Sequence, residues 1–258
     1  MKTQTKTRVA LTVAGGLSAM VAAAVPAAAQ AQDRAEVESG PYITGRIGIA
    51  LPSDFDLEGV QAPQAPSPGA PGAPANVNTQ LGNEVTFSGA VGYKLPARLF
   101  NLFEPSIELE YTNTSPDVSG GSFNGGNQSF DGNVKVETYT LNYQPDIVWK
   151  DDQRIIPFIG GGIGIAAVDS NVTYFPPTAT APTFGVIGED EAFVYQSNAG
   201  LRFKINDQFS IDGRVRYQRV DGVDLERRFI AGGNDAFNAD VSGDYETVNF
   251  LAGVRFSF

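Results

Sequence analysis

The 258-residue chain contains no cysteine and no histidine, and these two absences exclude several classes of function. Without cysteine, disulfide frameworks and thiolate metal sites are ruled out. Without histidine, the serine–histidine and histidine–aspartate pairs that many hydrolases and acyl transferases use are not available in their usual form. We therefore expect a protein that is not an enzyme and that has no cofactor and no metal site.

Basic residues and long apolar runs are also scarce. Eighteen lysines and arginines stand against 29 aspartates and glutamates, which gives a formal net charge of −11. Because a surface this acidic repels phosphates, nucleic acid is not expected as a partner. Beyond the amino-terminal segment, nothing approaches the ~18 consecutive apolar residues of a membrane-spanning helix. A membrane location would therefore have to be reached by strands that close on one another.

The amino terminus has the pattern of a removable export signal. Its features are the basic residues Lys2, Lys6 and Arg8, the apolar stretch 9–25 and the small residues 27–29. Cleavage after Ala29 or after Ala31 fits equally well, and an uncleaved anchor is the alternative. The prediction is a cleaved signal over residues 1–31 and one mature domain over 32–258. Removal takes away three basic residues and no acidic one, so the charge changes from −11 to −14.

Eight segments of the mature chain alternate apolar and polar side chains, which is the pattern of strands with one apolar and one polar face. They are residues 41–51, 84–93, 103–112, 134–149, 156–170, 191–204, 209–220 and 245–258. In the last segment Val248 and Phe250 share one face, while Asn249 and Arg255 share the other and Leu251 is the exception. Each segment therefore predicts a strand with one apolar face and one polar face.

The connections between these segments alternate long and short, with 32, 9, 21, 6, 20, 4 and 24 residues. Outer-membrane barrels have short periplasmic turns, longer external loops and an even strand number. The pattern thus predicts an all-β, eight-stranded, antiparallel up-and-down transmembrane β-barrel. The long connections 61–74 and 119–133 are rich in Pro or in Gly, Asn and Ser, which predicts exposed, mobile chain without a core. Pro145 predicts a bulge or an unpaired position inside the fourth segment.

If the apolar face points outward, the barrel has a charged interior. The inward set is Arg46, Glu104, Glu108, Glu110, Asp146, Arg202, Lys204, Asp212, Arg214, Arg216 and Arg255. Eight strands leave just enough room for side chains, and charges confined there must pair or be hydrated. We therefore predict an ionic plug, and the alternative is a narrow water path. Glu108 and Glu110 could in principle form a catalytic pair, but the arginines give them a structural role.

Three stretches resemble the outer membrane β-barrel domain family, which includes OmpA-type barrels, opacity-type surface proteins and small porin-family proteins. They are NAGLRFKINDQFSIDGRVRY at 198–217, PFIGGGIG at 157–164 and FLAGVRFSF at 250–258. The resemblance covers essentially the mature chain and implies a location in the bacterial outer membrane. Phe250, Phe256 and Phe258 are similar to the signal that the β-barrel assembly machinery recognises in such families.

The resemblance specifies the fold better than the activity. We expect a structural, surface-exposed, non-enzymatic role in envelope integrity, adhesion or recognition, for a protein that acts as a monomer. The expected partners are outer membrane lipids and lipopolysaccharide, the assembly machinery, and host, phage or surface ligands at the loops. The acidic residues in 221–244 raise the hypothesis of divalent-ion bridges to lipopolysaccharide. The alternatives are a small porin-like channel and a secreted lipocalin-like barrel for a lipophilic ligand, since periodicity alone does not say which face points out.

Overall fold

The computed structural model describes residues 39–61, 72–176, 178–231 and 238–258, and most of these residues lie in β-strands. The strands are β1 (Gly40–Pro52), β2 (Phe55–Gly59), β3 (Val77–Leu81), β4 (Glu84–Lys94), β5 (Phe103–Thr114), β6 (Val118–Phe123), β7 (Ser129–Ile147), β8 (Ile155–Phe175), β9 (Phe184–Lys204), β10 (Phe209–Phe229) and β11 (Ala239–Ser257). Within these ranges no helix is long and apolar enough to cross a membrane. The predicted signal and most of the proline-rich stretch 61–74 lie outside the described residues.

Eight of these strands close into an antiparallel ring. The order around the ring is β1-β4-β5-β7-β8-β9-β10-β11, and β11 pairs back onto β1 from Tyr42–Ser257 to Pro52–Thr247. Closure pairs the backbone groups that an open sheet edge would expose to lipid. The ring confirms the predicted eight-stranded, antiparallel, up-and-down barrel.

The outward face of the ring is apolar over the height of a membrane. On β8 the side chains of Ile155, Ile159, Ile163 and Ile165 are each about half exposed, whereas Asp169 follows on the same face. Residues 155–165 match the ~9–11 residues that a tilted strand needs to cross a bilayer. The apolar side therefore faces outward, which is the opposite of the arrangement in a lipocalin-like barrel.

Strands β7 to β11 continue past this apolar belt and form a wall outside the membrane. β8 runs on from Ile165 to Phe175, which is roughly 30 Å of further strand at ~3.3 Å per residue. Three short strands complete the wall, because β2 pairs with β11, β3 with β2, and β6 with β3. We call this part of the molecule, made of β2, β3, β6 and the ends of β7–β11 beyond the belt, the external extension.

An apolar core fills the external extension. It is built from Phe55, Leu57, Ala75, Val77, Leu81, Val134, Val136, Ala166, Val168, Val172, Val186, Ala192, Val194, Val220, Val223, Leu225, Ala239, Val241 and Tyr245. The prediction that connection 119–133 is mobile chain without a core is therefore wrong. Most of these residues belong to β6 or to the start of β7, with a short turn at 124–128 between them, and Phe123 and Phe130 pack against the core. Away from lipid, a sheet buries its apolar face inward, so a stretch that looks like a loop by composition still has a core to join.

Pro145 interrupts one ladder without shifting its register. β7 pairs with β8 from Ser129–Phe175 to Tyr143–Gly161 and again at Asp146–Phe158. Gln144 and Pro145, which lie between these pairs, are unpaired on this side. On its other side β7 keeps a continuous register with β5, where Pro145 lies opposite Pro105. Because proline donates no backbone hydrogen bond, the structure has the unpaired position that the sequence predicted, without a bulge.

Candidate functional site: the charged interior of the barrel

All eleven charged residues assigned to the interior from sequence lie on the inward face of the ring. Ten of them are at most 5% exposed, and Lys204 is half-buried near the end of β9. Strand alternation places them there, because each occupies the face opposite the lipid-exposed side chains of its own strand. Ten of the eleven residues are therefore shielded from bulk water inside the barrel, and Lys204 lies at its mouth.

Arg46 of β1 holds two glutamates of β5 at the centre of the barrel. Its Nη2 lies 2.9 Å from Glu108 Oε2, and its Nη1 lies 3.1 Å from Glu110 Oε1. Its Nε approaches Asp212 Oδ1 of β10 at 3.6 Å. A guanidinium offers a planar fork of donors, so one arginine links three carboxylates from two strands.

Two arginines of β10 complete this central cluster from the opposite wall. Arg216 pairs with Glu110 and also donates to Thr112 Oγ1 at 3.1 Å. Arg214 lies 3.4 Å from Asp212 and 3.9 Å from Glu108, and it donates to Gln144 Oε1 at 3.1 Å. The cluster thus crosses the lumen, and its partners come from strands far apart in the chain.

A second level of charge lies nearer the chain termini. Arg202 Nη1 pairs with Asp146 Oδ2 at 2.5 Å, and the guanidinium of Arg255 lies 3.7 Å from the centre of the Tyr42 ring. Arg255 Nη2 is 3.8 Å from Glu108 Oε2, which connects this level to the central cluster. The two levels therefore form one continuous network.

The amino-acid sequence matches the family model of the outer membrane protein beta-barrel domain over residues 16–258. The chain belongs to this family. No curated protein matches the sequence. The outer membrane protein OprG of Pseudomonas aeruginosa is 14% identical, with a TM-score of 0.53 over 85% of this chain and 97% of that one. The match to the family model over residues 16–258 confirms the resemblance and the location in the bacterial outer membrane.

Two further solved structures share less of the geometry. The Neisserial surface protein A is 11% identical over 86% of this chain and 99% of that one, with a TM-score of 0.43. The outer membrane protease OmpT of Escherichia coli is 9% identical over 84% and 97%, with a TM-score of 0.46.

The family orients the outer membrane barrel in its bilayer, because the short turns and both ends of such barrels lie on the periplasmic side. Glu104 sits at this periplasmic mouth and is held by Lys94 Nζ at 2.7 Å and by Arg98 Nη2 at 2.5 Å. Hydrogen bonds to Asp151 and Glu104 raise the pKa of Arg98 above its ordinary value. Sequence reasoning missed Lys94 and Arg98 because only the closed ring brings this turn toward the mouth.

Uncharged polar side chains cover the central cluster on its external side. Gln196 donates to Asn142 Oδ1 at 2.6 Å and accepts from Gln218 Nε2 at 3.0 Å. Asn142 Nδ2 in turn lies 3.2 Å from Glu110 Oε2. The alternation placed these amides on the polar face, but nothing in the sequence indicated which carboxylate they would meet.

Above the apolar core, Arg227 is enclosed by aromatic rings. Its guanidinium lies 4.1 Å from the centre of the Phe184 ring and 4.2 Å from that of Phe123, and it donates to the Tyr174 hydroxyl. Gln61 Oε1 accepts a further hydrogen bond at 3.2 Å. Burial raises the pKa of the Tyr174 hydroxyl to about 12, although Arg227 acts in the opposite sense. This aromatic clasp ties β6, β8, β9 and β10 together.

The charged network encloses Glu108 and Glu110, the two residues that could in principle form a catalytic pair. Glu108 and Glu110 are at most 1% exposed, and both are bound by Arg46, so no substrate reaches them from solvent. In the described part of the chain no three His, Cys, Asp or Glu residues come together as a metal site. What this arrangement does chemically is neutralise charge inside a closed cylinder.

Proposed function

We propose that this outer membrane barrel is a non-conducting, non-enzymatic protein that acts through its external surface. It crosses the membrane as a sealed cylinder and carries a rigid wall on the outside of the cell. The observation that carries this proposal is the Glu110–Arg216 pair, whose two side chains are 0% exposed and join opposite walls of the lumen.

The seal follows from the energetics of the central cluster. An ion that passes would have to separate buried charge pairs or enter a space that these side chains already fill. Arg46 has a side-chain exposure of 0%, and Arg214 has 1%. At the level of these groups the lumen is occupied by protein, and this supports an ionic plug.

The external extension supports a role at the cell surface. A core that includes Phe55 and Tyr245, whose rings meet edge to face at 6.2 Å, gives the external wall a fixed shape. A fixed surface presents binding groups at a lower entropic cost than mobile loops do. Lipopolysaccharide lies beside this wall, and host, phage or other surface ligands can meet its outer end.

The β-barrel assembly machinery is the remaining proposed partner. Phe258 is 71% exposed and packs its ring edge to face on Phe256 at 4.9 Å, so the β-barrel assembly machinery can reach it during biogenesis. We propose that Phe250, Phe256 and Phe258 form this assembly signal and that the mature barrel, residues 32–258, acts as a monomer. Divalent bridging to lipopolysaccharide through 221–244 is a weaker hypothesis, because Asp244 already pairs with Arg219 at 2.5 Å. Equal binding of lipopolysaccharide with and without calcium would remove it.

One observation favours the rival reading, a narrow channel. Along β1 and β11 several buried polar atoms have no hydrogen-bond partner among the described residues, including Thr44 Oγ1, Thr247 Oγ1 and both amide atoms of Asn249. Such groups are normally satisfied by water. A file of water beside the central cluster would then give a small, intermittent conductance.

Current through planar bilayers separates the two functions. Purified barrel, shown to be folded by its different gel mobility before and after heating, is inserted at neutral pH beside a general porin as a positive control. We expect no steady current from the barrel under conditions in which the porin conducts. A sustained, reproducible unit conductance would overturn the sealed-cylinder proposal in favour of the channel.

Surface display is tested with single cysteines, because the natural chain has none. Thr180→Cys places a thiol in an exposed external connection, and Asp152→Cys places one in a periplasmic turn. On intact cells a membrane-impermeant maleimide should label only Thr180→Cys, and after the outer membrane is permeabilised it should label both. Labelling of Asp152→Cys alone on intact cells would reverse the orientation and contradict the proposal.

A further inference from the structure

The turn between β4 and β5 presents an aromatic ring at the periplasmic end of the barrel. Phe100 is 89% exposed, which is more than any other large apolar side chain among the described residues. Leu95, Leu99 and Leu102 of the same turn are also apolar and are only half-buried. Single exposed apolar side chains are common on protein surfaces, so the exposure of Phe100 acquires meaning from the backbone that carries it.

The backbone of this turn has a conformation that phenylalanine disfavours. Leu99 and Phe103 pair as the last rung of a hairpin, and the Leu102 N–H donates to Leu99 O at 3.0 Å. The two residues between them, Phe100 and Asn101, have φ angles of 52° and 56°. Asparagine and glycine enter this left-handed region readily, whereas a bulky side chain is strained there. The turn therefore carries backbone strain at the position where its side chain is almost fully exposed.

Arg98 fixes the turn to its surroundings in spite of this strain. Its guanidinium pairs with Glu104 of β5 at 2.5 Å and with Asp151, in the turn after β7, at 2.9 Å. Strained residues persist only where the surrounding structure holds them, and they concentrate at sites of contact. The fold therefore sets the position of the Phe100 ring, and a contact surface is the role that such a ring indicates.

The level of the turn in the bilayer follows from β5. At the external end of this strand the Tyr111 hydroxyl donates to Glu137, which pairs with Lys135 at 2.9 Å. Both charged side chains lie on the face opposite the core residue Val136 and so point outward. Because charged groups stay out of hydrocarbon, they mark its external boundary. A tilted strand crosses the hydrocarbon in ~9–11 residues, and this count from Tyr111 ends at 101–103.

The neighbouring strand gives the same level. Leu102 O accepts a hydrogen bond from Val148 N at the end of β7, so Trp149 lies beside the turn. Trp149 is 55% exposed, and tryptophan concentrates at the level of the lipid headgroups. Phe100 lies only one to three residues beyond the boundary counted on β5, at ~3.3 Å for each residue. Because the polar layer of a leaflet is roughly 5–8 Å thick, the ring lies among or close to the headgroups.

We propose that Phe100 inserts into the inner leaflet of the outer membrane and, together with Trp149, anchors the periplasmic end of the barrel to phospholipid. Transfer of a phenylalanine ring out of water is favourable by an amount comparable with the strain of one left-handed residue, so insertion can offset that strain. A leaflet is favoured over a periplasmic protein because the ring borders the lipid-facing surface, where lipid is already present. Anchoring at this end is independent of the sealed lumen and of the external surface.

Tryptophan fluorescence in vesicles of pure phosphatidylcholine tests the insertion, because no protein partner is present. In a Trp149→Phe background, Phe100→Trp is compared with Ile159→Trp, in the apolar belt of β8, and with Thr180→Trp, in an exposed external connection. We expect aqueous acrylamide to quench the Phe100→Trp reporter several-fold less than Thr180→Trp. Lipids brominated near the headgroup should quench it more than lipids brominated near the chain end, and Ile159→Trp should show the reverse. Acrylamide quenching equal to that of Thr180→Trp would overturn the proposal.

Hydrogen exchange measures what the ring contributes. Phe100→Ser removes the ring but leaves a residue that still disfavours left-handed backbone. The amides of Leu102 and Phe103 should then exchange at least ~10-fold faster in vesicles, a factor that corresponds to ~1.4 kcal/mol. Phe100→Leu keeps an apolar side chain and should exchange nearly as the natural protein does. Unchanged exchange in Phe100→Ser, with heat-modifiable mobility showing that the variant is folded, would refute the anchor.

Discussion

Glu110 on β5 and Arg216 on β10 form an ion pair across the lumen, between strands that lie opposite each other in the ring of eight. Both side chains are fully buried, and they are separated by 106 positions in the sequence. The pair therefore fixes the distance between two walls that no backbone hydrogen bond connects. Loss of this ion pair should therefore lower the free energy of unfolding and weaken the closure of the lumen.

Removing one partner should cost more than removing both. Glu110→Gln leaves the charge of Arg216 buried with Thr112 as its other partner, so we expect a loss of about 3–5 kcal/mol in the free energy of unfolding. The double variant Glu110→Leu with Arg216→Met leaves no unpaired charge between these positions and should recover part of that loss. The measurement is urea unfolding in lipid vesicles, followed by the fluorescence of Trp149, the single tryptophan. If the double variant lost as much free energy of unfolding as Glu110→Leu alone and Arg216→Met alone lose together, the two residues would not interact.

The membrane-spanning ring could be predicted from sequence because lipid imposes one rule on all eight strands. Outward positions such as Ile163 and Phe250 must be apolar, and the positions between them, such as Asn249, can be polar. This alternation predicts on which face of its strand each interior charged residue lies. The partners of those charges could not be predicted, because pairing across the lumen depends on the stagger of the closed ring.

The sequence analysis did not predict the external extension, because the apolar side of the strands changes from the outward to the inward face where the strands leave the membrane. On β8 the exposed apolar side chains occupy odd positions up to Ile165, whereas beyond it the buried apolar side chains Ala166, Val168 and Val172 occupy even positions, since the apolar face now points inward. A search for one continuous alternation therefore stops short of the outer ends of these strands, at Ser170 on β8 and at Val220 on β10, which the structure extends to Phe175 and Phe229. On β10 the register shift between Val220 and Val223 moves the pattern once more.

Glycine in the fifth predicted segment marks a close approach between neighbouring strands. A Cβ at Gly164 would lie 1.9 Å from the carbonyl oxygen of Tyr139, whereas a Cβ at Gly213 would meet nothing within 4 Å. Gly164→Ala should therefore lower the free energy of unfolding by about 1–3 kcal/mol through overpacking. Gly213→Ala, on the outer face of β10, is the matched control and should stay within ~0.5 kcal/mol of the natural protein. Equal effects in vesicle unfolding would contradict the close approach.

Phe55 anchors β2 in the core of the external extension. Its side chain is 1% exposed, while Val60, just after the same strand, is 61% exposed. Phe55→Ala should cost about 3–5 kcal/mol of local stability and release the connection that carries β2 and β3. Limited proteolysis of folded barrel in micelles should then cleave this connection first, while the ring keeps its heat-modifiable mobility. Val60→Ala should resist protease as the natural protein does, and a resistant Phe55→Ala variant would refute the anchoring role.

Arg227 should hold the outer end of the extension through the aromatic clasp. Arg227→Ala removes the guanidinium between Phe123 and Phe184, and cation–π contacts with desolvated rings contribute about 2 kcal/mol. We expect earlier thermal loss of the near-ultraviolet circular dichroism of the aromatic residues, with the strand signal retained. Arg228→Ala removes the neighbouring, exposed arginine and should leave the dichroism unchanged. Identical melting of the two variants would show that the clasp does not stabilise the outer end.

Phe258 should matter for assembly in the cell and little for stability. Because its side chain is 71% exposed, Phe258→Ala should change the free energy of unfolding in vesicles by no more than ~0.5 kcal/mol. In cells the same variant should accumulate less in the outer membrane fraction, since an accessible terminal ring is what the assembly machinery is proposed to read. Phe256→Ala serves as a contrast, because that ring also packs on Phe209 at 5.0 Å and its removal should affect stability as well. Normal outer-membrane levels of Phe258→Ala, together with unchanged stability, would show that the terminal aromatic residue is not the signal.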